Sequence, residues 1–582
     1  MAASKTFRVV LIKPSRYDND GYVVQWVRSI IPSNTLATLY GLALDCANRK
    51  VLGEGVEILI DAYDEPNTVI PIQKIIQDIQ QADAGIVGLV GVQTNQFPRS
   101  VDIAHPFREA GIPVVIGGFH VSGCLAMLPE MQIDIQKAMD MGITIYAGEA
   151  EGRLDVVFRD VWEGKLKPLY NYLDDLPELT GAVIPFLPKE HIEKTIEGLG
   201  SLDAGRGCPF QCSFCTIINV QGRKSRWRTP DDVEKVVRAN LAQGVNRFFI
   251  TDDDFARNKN WEAIFDRLIH LREVEGLDIK FIIQVDALCH RLPNFIEKAA
   301  RAGCRRVFIG LENINPENLV AAKKRQNKIW EYRQMLQAWK DHGCMTYAGY
   351  IIGFPGDTPQ SIARDIDIIK KELPVDLLEF FCLTPLPGSE DHKKLQEQGV
   401  RMETDMNRYT LEYVTTDHPK MLEAEWYEAY NHAWKQYYTL EHVETLMRRA
   451  AARHLSIGNM MLLILWFYGG IVVNNLHPLE NGYLRRKVRT QRRPSFPIEN
   501  PLVFYPKRLW EILRDHARFV KLVVQYARIR RKVKADPNRK NYTDLSLTPV
   551  TIEEEEDLDL IKVFHPRQAK TASVHAEIAG VK

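Results

Sequence analysis

The stretch Gly205-Arg-Gly-Cys-Pro-Phe-Gln-Cys-Ser-Phe-Cys-Thr216 constrains this chain more than any other, because it sets Cys208, Cys212 and Cys215 in a C-x3-C-x2-C spacing. Three thiols within eight residues close on one metal centre with little loop entropy to overcome. A structural zinc site wants four ligands, commonly two C-x2-C pairs, and no second pair follows. A four-iron, four-sulfur (4Fe-4S) cluster held by three cysteines keeps one iron open to a ligand from solution. The competing reading is three buried, inert thiols, since free cysteine is among the most buried residue types. Spacing alone does not separate the two.

The surrounding chain gives that loop a setting. Its 582 residues exceed one core and suggest about three or four units. The start, Met-Ala-Ala-Ser-Lys-Thr, has no apolar signal core, and the nine cysteines are scattered apart from the triplet, so a reduced, cytoplasmic protein is expected. Over residues 1–170, short β-branched runs (Phe7–Ile12, Val56–Ile60, Ile86–Val90, Pro113–Ile116, Ile143–Tyr146) alternate with helical stretches, the pattern of a doubly wound, Rossmann-like parallel sheet in an α/β protein. Ligands of such sheets bind beyond the carboxyl ends of the strands, where Thr94, Gly117, Gly118, His120, Gly148 and Glu149 fall. Glycines there let a large flat ligand or its phosphate tail approach the backbone, while His120 equally suits a hydrogen-bonded packing role. Residues 171–197, with several prolines, read as an extended connector.

From residue 198 to about 395, helices and strands alternate in about six β/α units, which suits a partial parallel (β/α)6 barrel with its site at the carboxyl rim. Polar residues mark the strand ends: Asp252-Asp253-Asp254, Gln284 with Asp286, Glu312 with Asn313, and Thr384. Each carboxylate equally suits a helix cap. Cys304, Cys344 and Cys382 read as structural, Cys289 lacks partner spacing, and one cluster is expected.

The cysteine spacing, with Phe214 before the last cysteine, resembles the signature of radical S-adenosylmethionine (SAM) enzymes. The resemblance implies a cluster on Cys208, Cys212 and Cys215 whose open iron takes the amino and carboxylate groups of SAM, with Phe214 against the adenine. It also implies that one of Asp252 to Asp254, with Asp253 the first choice, meets the SAM amino group, that Gln284 and Glu312 lie near SAM, and that the Gly349–Gly356 segment, with Ile351 and Gly353, flanks the adenine. Residues 1–170 are similar to the cobalamin-binding domain of many radical SAM proteins, through Val-Val-Ile-Gly-Gly-Phe-His-Val and Ala-Gly-Glu-Ala-Glu-Gly. The D-x-H-x-x-G motif that supplies a histidine beneath cobalt elsewhere is missing: Asp102-x-x-His105 has the wrong spacing.

Beyond the barrel, residues 396–535 read as a helical region and 536–582 as a disordered tail with an acidic run. The aromatic stretch 417–452 is ordinary helix packing against the barrel. Ile457–Val473 is apolar and sits at the lower edge of bilayer-spanning length, so it suits a span or a buried helix. It is followed by a basic segment, with eighteen Lys and Arg against four Asp and Glu between Asn481 and Lys540. Apolar anchoring beside a polybasic segment is the pattern for an anionic membrane surface, at the inner face in a cytoplasmic protein. Nucleic acid is the rival for any basic patch, and no recognised RNA-binding module follows the barrel.

The resemblance implies a cobalamin-dependent radical SAM C-methyltransferase acting on an unactivated carbon, with an electron donor of flavodoxin or ferredoxin type and a small-molecule or lipid substrate. One SAM would methylate cobalamin and another would yield the radical that removes a substrate hydrogen. A cobalamin-assisted cyclase or rearrangement enzyme is the alternative, and a non-catalytic cofactor sensor or membrane scaffold the third reading.

Overall fold

The computed structural model describes residues 5–549 and 558–564. β1 (Lys5–Lys13) opens the first sheet, β2 (Gln25–Ser29) leaves it, and β3 (Val56–Asp64), β4 (Ala84–Leu89), β5 (Val114–Gly117), β6 (Thr144–Ala147) and β7 (Leu169–Asn171) return to it. All six strands run parallel in the order β3-β1-β4-β5-β6-β7. The order reverses at β1, which creates a crevice at the carboxyl ends of β1 and β4 where such sheets take ligands. Both faces are covered by helices, and the strands are therefore near-continuous apolar runs: Val9, Val10, Leu11 and Ile12 are all buried.

The second sheet begins at β8 (Gly200–Leu202). A short ribbon of β9 (Gly205–Arg206) and β10 (Arg226–Trp227) flanks the cysteine loop, and β11 (Arg247–Ile250), β12 (Lys280–Val285), β13 (Cys304–Glu312), β14 (Met345–Ile352) and β15 (Leu377–Cys382) follow. Its six strands lie in strict chain order, each parallel to the next, as an open barrel wall. The helices between them start where the local sequence directs. Thr229 and Asp232 form a reciprocal cap before Pro230, as do Thr358 and Ser361 before Pro359. Cys289, Cys304, Cys344 and Cys382 are all buried in this core.

The segment 171–197 is pinned on both sides. Phe186 N–H donates to Ala37 O at 3.0 Å, and Arg228 donates to Ala182 O at 2.9 Å and Val183 O at 3.1 Å.

The C-terminal helices Glu423–Tyr437, Leu440–Ala452, Ile457–Gly469 and Pro501–Ala535 share one continuous apolar core with the barrel. Trp426 enters the barrel wall: its indole donates to Ile352 O at 3.1 Å, and a methyl group on Gly353 would lie 1.9 Å from its ring. β16 (Gly482–Arg486) pairs antiparallel with β2, far away in sequence. Part of the segment expected to be disordered packs instead, because Arg448 and Arg449 hold Asp536 and Asp544 at 2.7 and 2.8 Å. The backbone N–H groups of Asp559 and Leu560 donate to Glu372. The acidic run Glu553–Glu556 lies outside the described residues.

Part of the basic segment is used by the fold. Arg485 pairs with Asp18 at 2.8 Å, Lys487 with Asp20 at 3.1 Å and Arg493 with Asp405 at 2.6 Å. Those charges close the β2–β16 ribbon onto the N-terminal loop.

Two outcomes follow from the barrel wall. Trp426→Ala should lower stability by about 3–5 kcal/mol, read as an earlier urea transition by circular dichroism. Glu379, buried in β15, has neither oxygen hydrogen-bonded, and burial lifts its carboxyl to about 8. A carboxyl raised in the folded state contributes stability below its unfolded pKa and loses it as pH rises through the folded value. Glu379→Gln should therefore be more stable than wild type above about pH 8, by about 1–3 kcal/mol, and the advantage should shrink on acidification.

Candidate active site

The cysteine loop leaves β9 and ends at the short helix Ile217–Val220, on the carboxyl side of the barrel. Cys212 is buried, whereas Cys208 and Cys215 are half-buried. Burial pushes the thiols of Cys208 and Cys215 up to about 12, with nearby acids and the other cysteines adding to the rise. A bound cation reverses that logic and deprotonates a coordinating thiol, so the donor set fits a metal cluster. Among the described residues no three His, Cys, Asp or Glu side chains already converge on one point.

Beside the loop lies an apolar patch of Ala322, Ile351 and Phe354, joined by Phe214, Phe381 and Leu383. Phe214 meets Phe354 edge-on with centroids 6.5 Å apart. The amine of Lys324 lies 5.9 Å from the centre of the Phe214 ring and pairs with Glu312. Burial lowers the Lys324 pKa, but Glu312 and the thiols of Cys212 and Cys215 outweigh it and hold the amine above its ordinary range. Glu312 has φ of 61°, at an irregularity in the β13–β14 register. Such a conformation is costly for a non-glycine residue and persists only where its surroundings enforce it. Gln326 donates to Cys212 Sγ at 3.6 Å.

The three aspartates after β11 separate cleanly. Asp252 accepts from the backbone N–H groups of Ala204 and Gly205 at 3.0 and 2.8 Å and from Asn258 at 2.9 Å, which makes it the brace of the turn into the cysteine loop. Gln284 donates to Asp252 O at 3.3 Å. Asp254 accepts from Asp286 N–H at 3.2 Å. Asp253 accepts a hydrogen bond from its own backbone N–H, enters no ion pair among the described residues and lines a cavity; burial lifts its carboxyl to about 7 despite the pull of Arg206.

That cavity, of about 290 Å³, lies between the two sheets. Gly117, Gly118, Gly148 and Glu149 line it from the first sheet, and Asp203, Gly205, Arg206, Thr251 and Asp253 from the barrel. A side chain at Gly118 would lie 2.2 Å from Val92 N, and one at Gly148 would lie 2.9 Å from Tyr172 C, so both glycines are needed by the backbone itself. Thr94 and His120 do not line this cavity. His120 is buried, donor or acceptor to Asp134 at 2.7 Å and Thr94 at 3.3 Å, and packs on Phe97. Gly349 is crowded by Phe381 and Phe308, and Gly353 by Trp426.

Sequence reasoning missed the charges that join the halves. Arg206, two residues before Cys208, pairs with Glu149 and Glu151 of the first sheet at 2.6 Å each and with Asp203 at 2.7 Å. Arg226 also pairs with Glu149. All of these side chains are buried or nearly so. The arginines at 206 and 226 were visible in the sequence as cations beside the cysteine loop, but their partners Glu149 and Glu151 lie some fifty residues away or more.

Removing one member of a buried pair strands the other charge, so Glu149→Gln should cost about 3–5 kcal/mol. Asp252→Asn should also lower the unfolding midpoint, whereas Asp253→Asn should leave it unchanged within about 0.5 kcal/mol or raise it, because only Asp252 braces backbone. Urea titration of the three variants checks the ranking.

A radical SAM superfamily profile matches residues 203–369. Bacteriochlorophyllide d C-8(2)-methyltransferase of Chlorobaculum tepidum is 26% identical over 345 residues, covering 56% of this chain and 72% of that protein. Hopanoid C-2 methylase of Rhodopseudomonas palustris is 26% identical over 339 residues, covering 57% of this chain and 60% of that protein. Among solved structures, the radical SAM methyltransferase TsrM of Kitasatospora setae, with cobalamin and a [4Fe-4S] cluster bound, matches with a TM-score of 0.54 at 16% identity, over 75% of this chain and 90% of that one. The chain thus carries a radical SAM domain over residues 203–369, an open parallel barrel with a three-cysteine loop on its carboxyl side, faced by a Rossmann-like sheet in a fold similar to that of the solved neighbour.

Proposed function

We propose that the protein is a cobalamin-dependent radical SAM C-methyltransferase acting on an unactivated carbon. The observation that carries this is the cavity shared by the carboxyl ends of the first sheet and the mouth of the barrel, because two cofactors and a substrate must meet there. When bound, the cluster with SAM supplies a hydrogen-abstracting radical and cobalamin carries the methyl group.

The chain's own residues bind, orient and exclude water. Cys208, Cys212 and Cys215 would hold the cluster. Asp253, the aspartate in no ion pair among the described residues, suits the SAM ammonium, and Phe214 with Ile351 and Phe354 offers an apolar surface for the adenine. Lys324 holds Glu312 in place beside that surface. Gly117, Gly118 and Gly148 would let cobalamin approach the strand ends, with no histidine of this cavity beneath it. The Arg206–Glu149 contact keeps the two cofactor platforms in register.

The finer reading adds a flavodoxin- or ferredoxin-type reductant, a lipidic substrate and a cytoplasmic enzyme peripheral to the inner face of the membrane. All nine cysteines are free, as a reducing compartment would leave them. Helix Pro501–Ala535 exposes Leu502, Tyr505, Leu509 and Leu513 along one stripe beside Arg518 and Lys521, which supports contact with anionic lipid.

The reading is tested by anaerobic reconstitution with iron, sulfide, hydroxocobalamin and reductant. Wild type should yield both 5′-deoxyadenosine and S-adenosylhomocysteine. Cys212→Ala should lose the 5′-deoxyadenosine and the cluster's visible absorption, and Asp253→Asn should weaken SAM binding by about tenfold, about 1.4 kcal/mol. Formation of 5′-deoxyadenosine by a protein that takes up no cobalamin would overturn the methyltransferase.

A further inference from the structure

A cavity of about 1250 Å³ is on the opposite end of the barrel from the cysteine loop. Its barrel side is built from the amino-terminal ends of the strands, including Arg247 at the start of β11, Lys280 at the start of β12 and Met345 at the start of β14. Its other walls are the helices Ile457–Gly469 and Pro501–Ala535. The volume exceeds the range of about 300–1,000 Å³ usual for sites of drug-sized ligands.

The lining is divided between hydrocarbon and cation. Phe281, Leu463, Trp466, Phe519 and Val523 form an apolar trough. Arg28, Arg247 and Arg305 stand at it without any carboxylate partner among the described residues, whereas the lining acids Glu197 and Asp515 are already paired with Arg306 and Arg514. The helix Ile457–Gly469 is apolar around its whole circumference, yet Leu462 is 60% exposed. Such a helix belongs in a core or a bilayer. With its π-helical continuation Gly470–Asn474 it runs eighteen residues, about 27 Å and close to the roughly 30 Å hydrocarbon layer, and 44% of that stretch is buried, so it has nearly the length of a span while one face walls the cavity.

We propose that this cavity takes an acyl chain of an anionic membrane phospholipid, with the headgroup phosphate held by Arg28, Arg247 and Arg305, and that the enzyme thereby docks its amino-terminal barrel face on the bilayer. On the helix Pro501–Ala535, the face that lines the cavity carries Arg508, Ile512, Phe519 and Val523, and the adjacent face carries the exposed stripe from Leu502 to Leu513. A bilayer touching that stripe lies at the cavity mouth. Basic side chains with no acid to satisfy them match a phosphate, and a phosphate alone would not fill an apolar trough of this size. The lipid is a docking ligand, since the trough and the cysteine loop are at opposite ends of the barrel. This deepens the reading of the C-terminal face as membrane-facing, and the two can fail separately.

The test uses the reconstituted holoenzyme in two assays. The first is co-sedimentation with phosphatidylcholine vesicles with and without phosphatidylglycerol; the second is native mass spectrometry with dioleoylphosphatidylglycerol. Phosphatidylglycerol should strengthen vesicle binding at least tenfold, and one lipid should be retained per chain. The combined change Arg28→Glu, Arg247→Glu and Arg305→Glu should reduce both signals at least tenfold. Val523→Trp, which fills the trough, should abolish the retained lipid. Both variants should form 5′-deoxyadenosine at the wild-type rate in buffer, which reports an intact fold. Vesicle binding that is unchanged in Val523→Trp, with no lipid retained by wild type, overturns the acyl site and leaves a surface contact. Retained lipid without vesicle binding upholds the site and overturns the docking. Loss of neither signal in the triple variant, or concentration-dependent self-association that Val523→Trp abolishes, overturns the proposal.

Discussion

Arg206 is the hinge of the architecture. Its guanidinium receives carboxylates from the first sheet and from β8 while its own backbone begins the cysteine loop. Buried ion pairs contribute little net stability compared with an apolar contact of the same shape, but they punish any geometry that separates the partners. That asymmetry suits a site built from two halves. An apolar interface tolerates sliding, whereas Glu149, Glu151 and Asp203 each set an oxygen against a nitrogen of Arg206 in one arrangement.

The same economy governs the aspartates after β11. Asp252 is spent on the backbone of Ala204 and Gly205, so the turn into the cysteine loop has a fixed shape whatever is bound. Asp253, one residue on, lines the shared cavity with only its own backbone N–H donating to it. A single strand end thus provides both the scaffold and a free charge, and the alternation of side chains along the extended chain keeps them apart.

The parallel strands were legible because each is buried on both faces and must be written as an unbroken apolar run. Capped helix starts such as Thr229-Pro-Asp-Asp232 were legible for the same local reason. What could not be read was any role set by a distant partner. Gly353 looks like a ligand-approach glycine in sequence, and in the structure Trp426, more than seventy residues later, takes the space. The basic run after residue 481 looks like a membrane patch, yet Asp18, Asp20 and Asp405 neutralise part of it. His120 carries no such ambiguity in the structure, because Asp134 and Thr94 account for both ring nitrogens.

The ribbon of β2 and β16 has a consequence for the way the protein is made. Gly482 fits so closely over Trp26 that a methyl group there would lie 2.2 Å from the indole, and the Trp26 N–H donates to Glu480 O at 2.9 Å. The ring thus waits through the synthesis of some 450 residues for its cover. Pairing at that sequence separation is among the slowest events available to a chain, and an unpaired strand with an exposed indole is a place where other chains adhere. The first sheet can form before the β16 segment is made, and the β2 edge remains an open surface until that segment arrives.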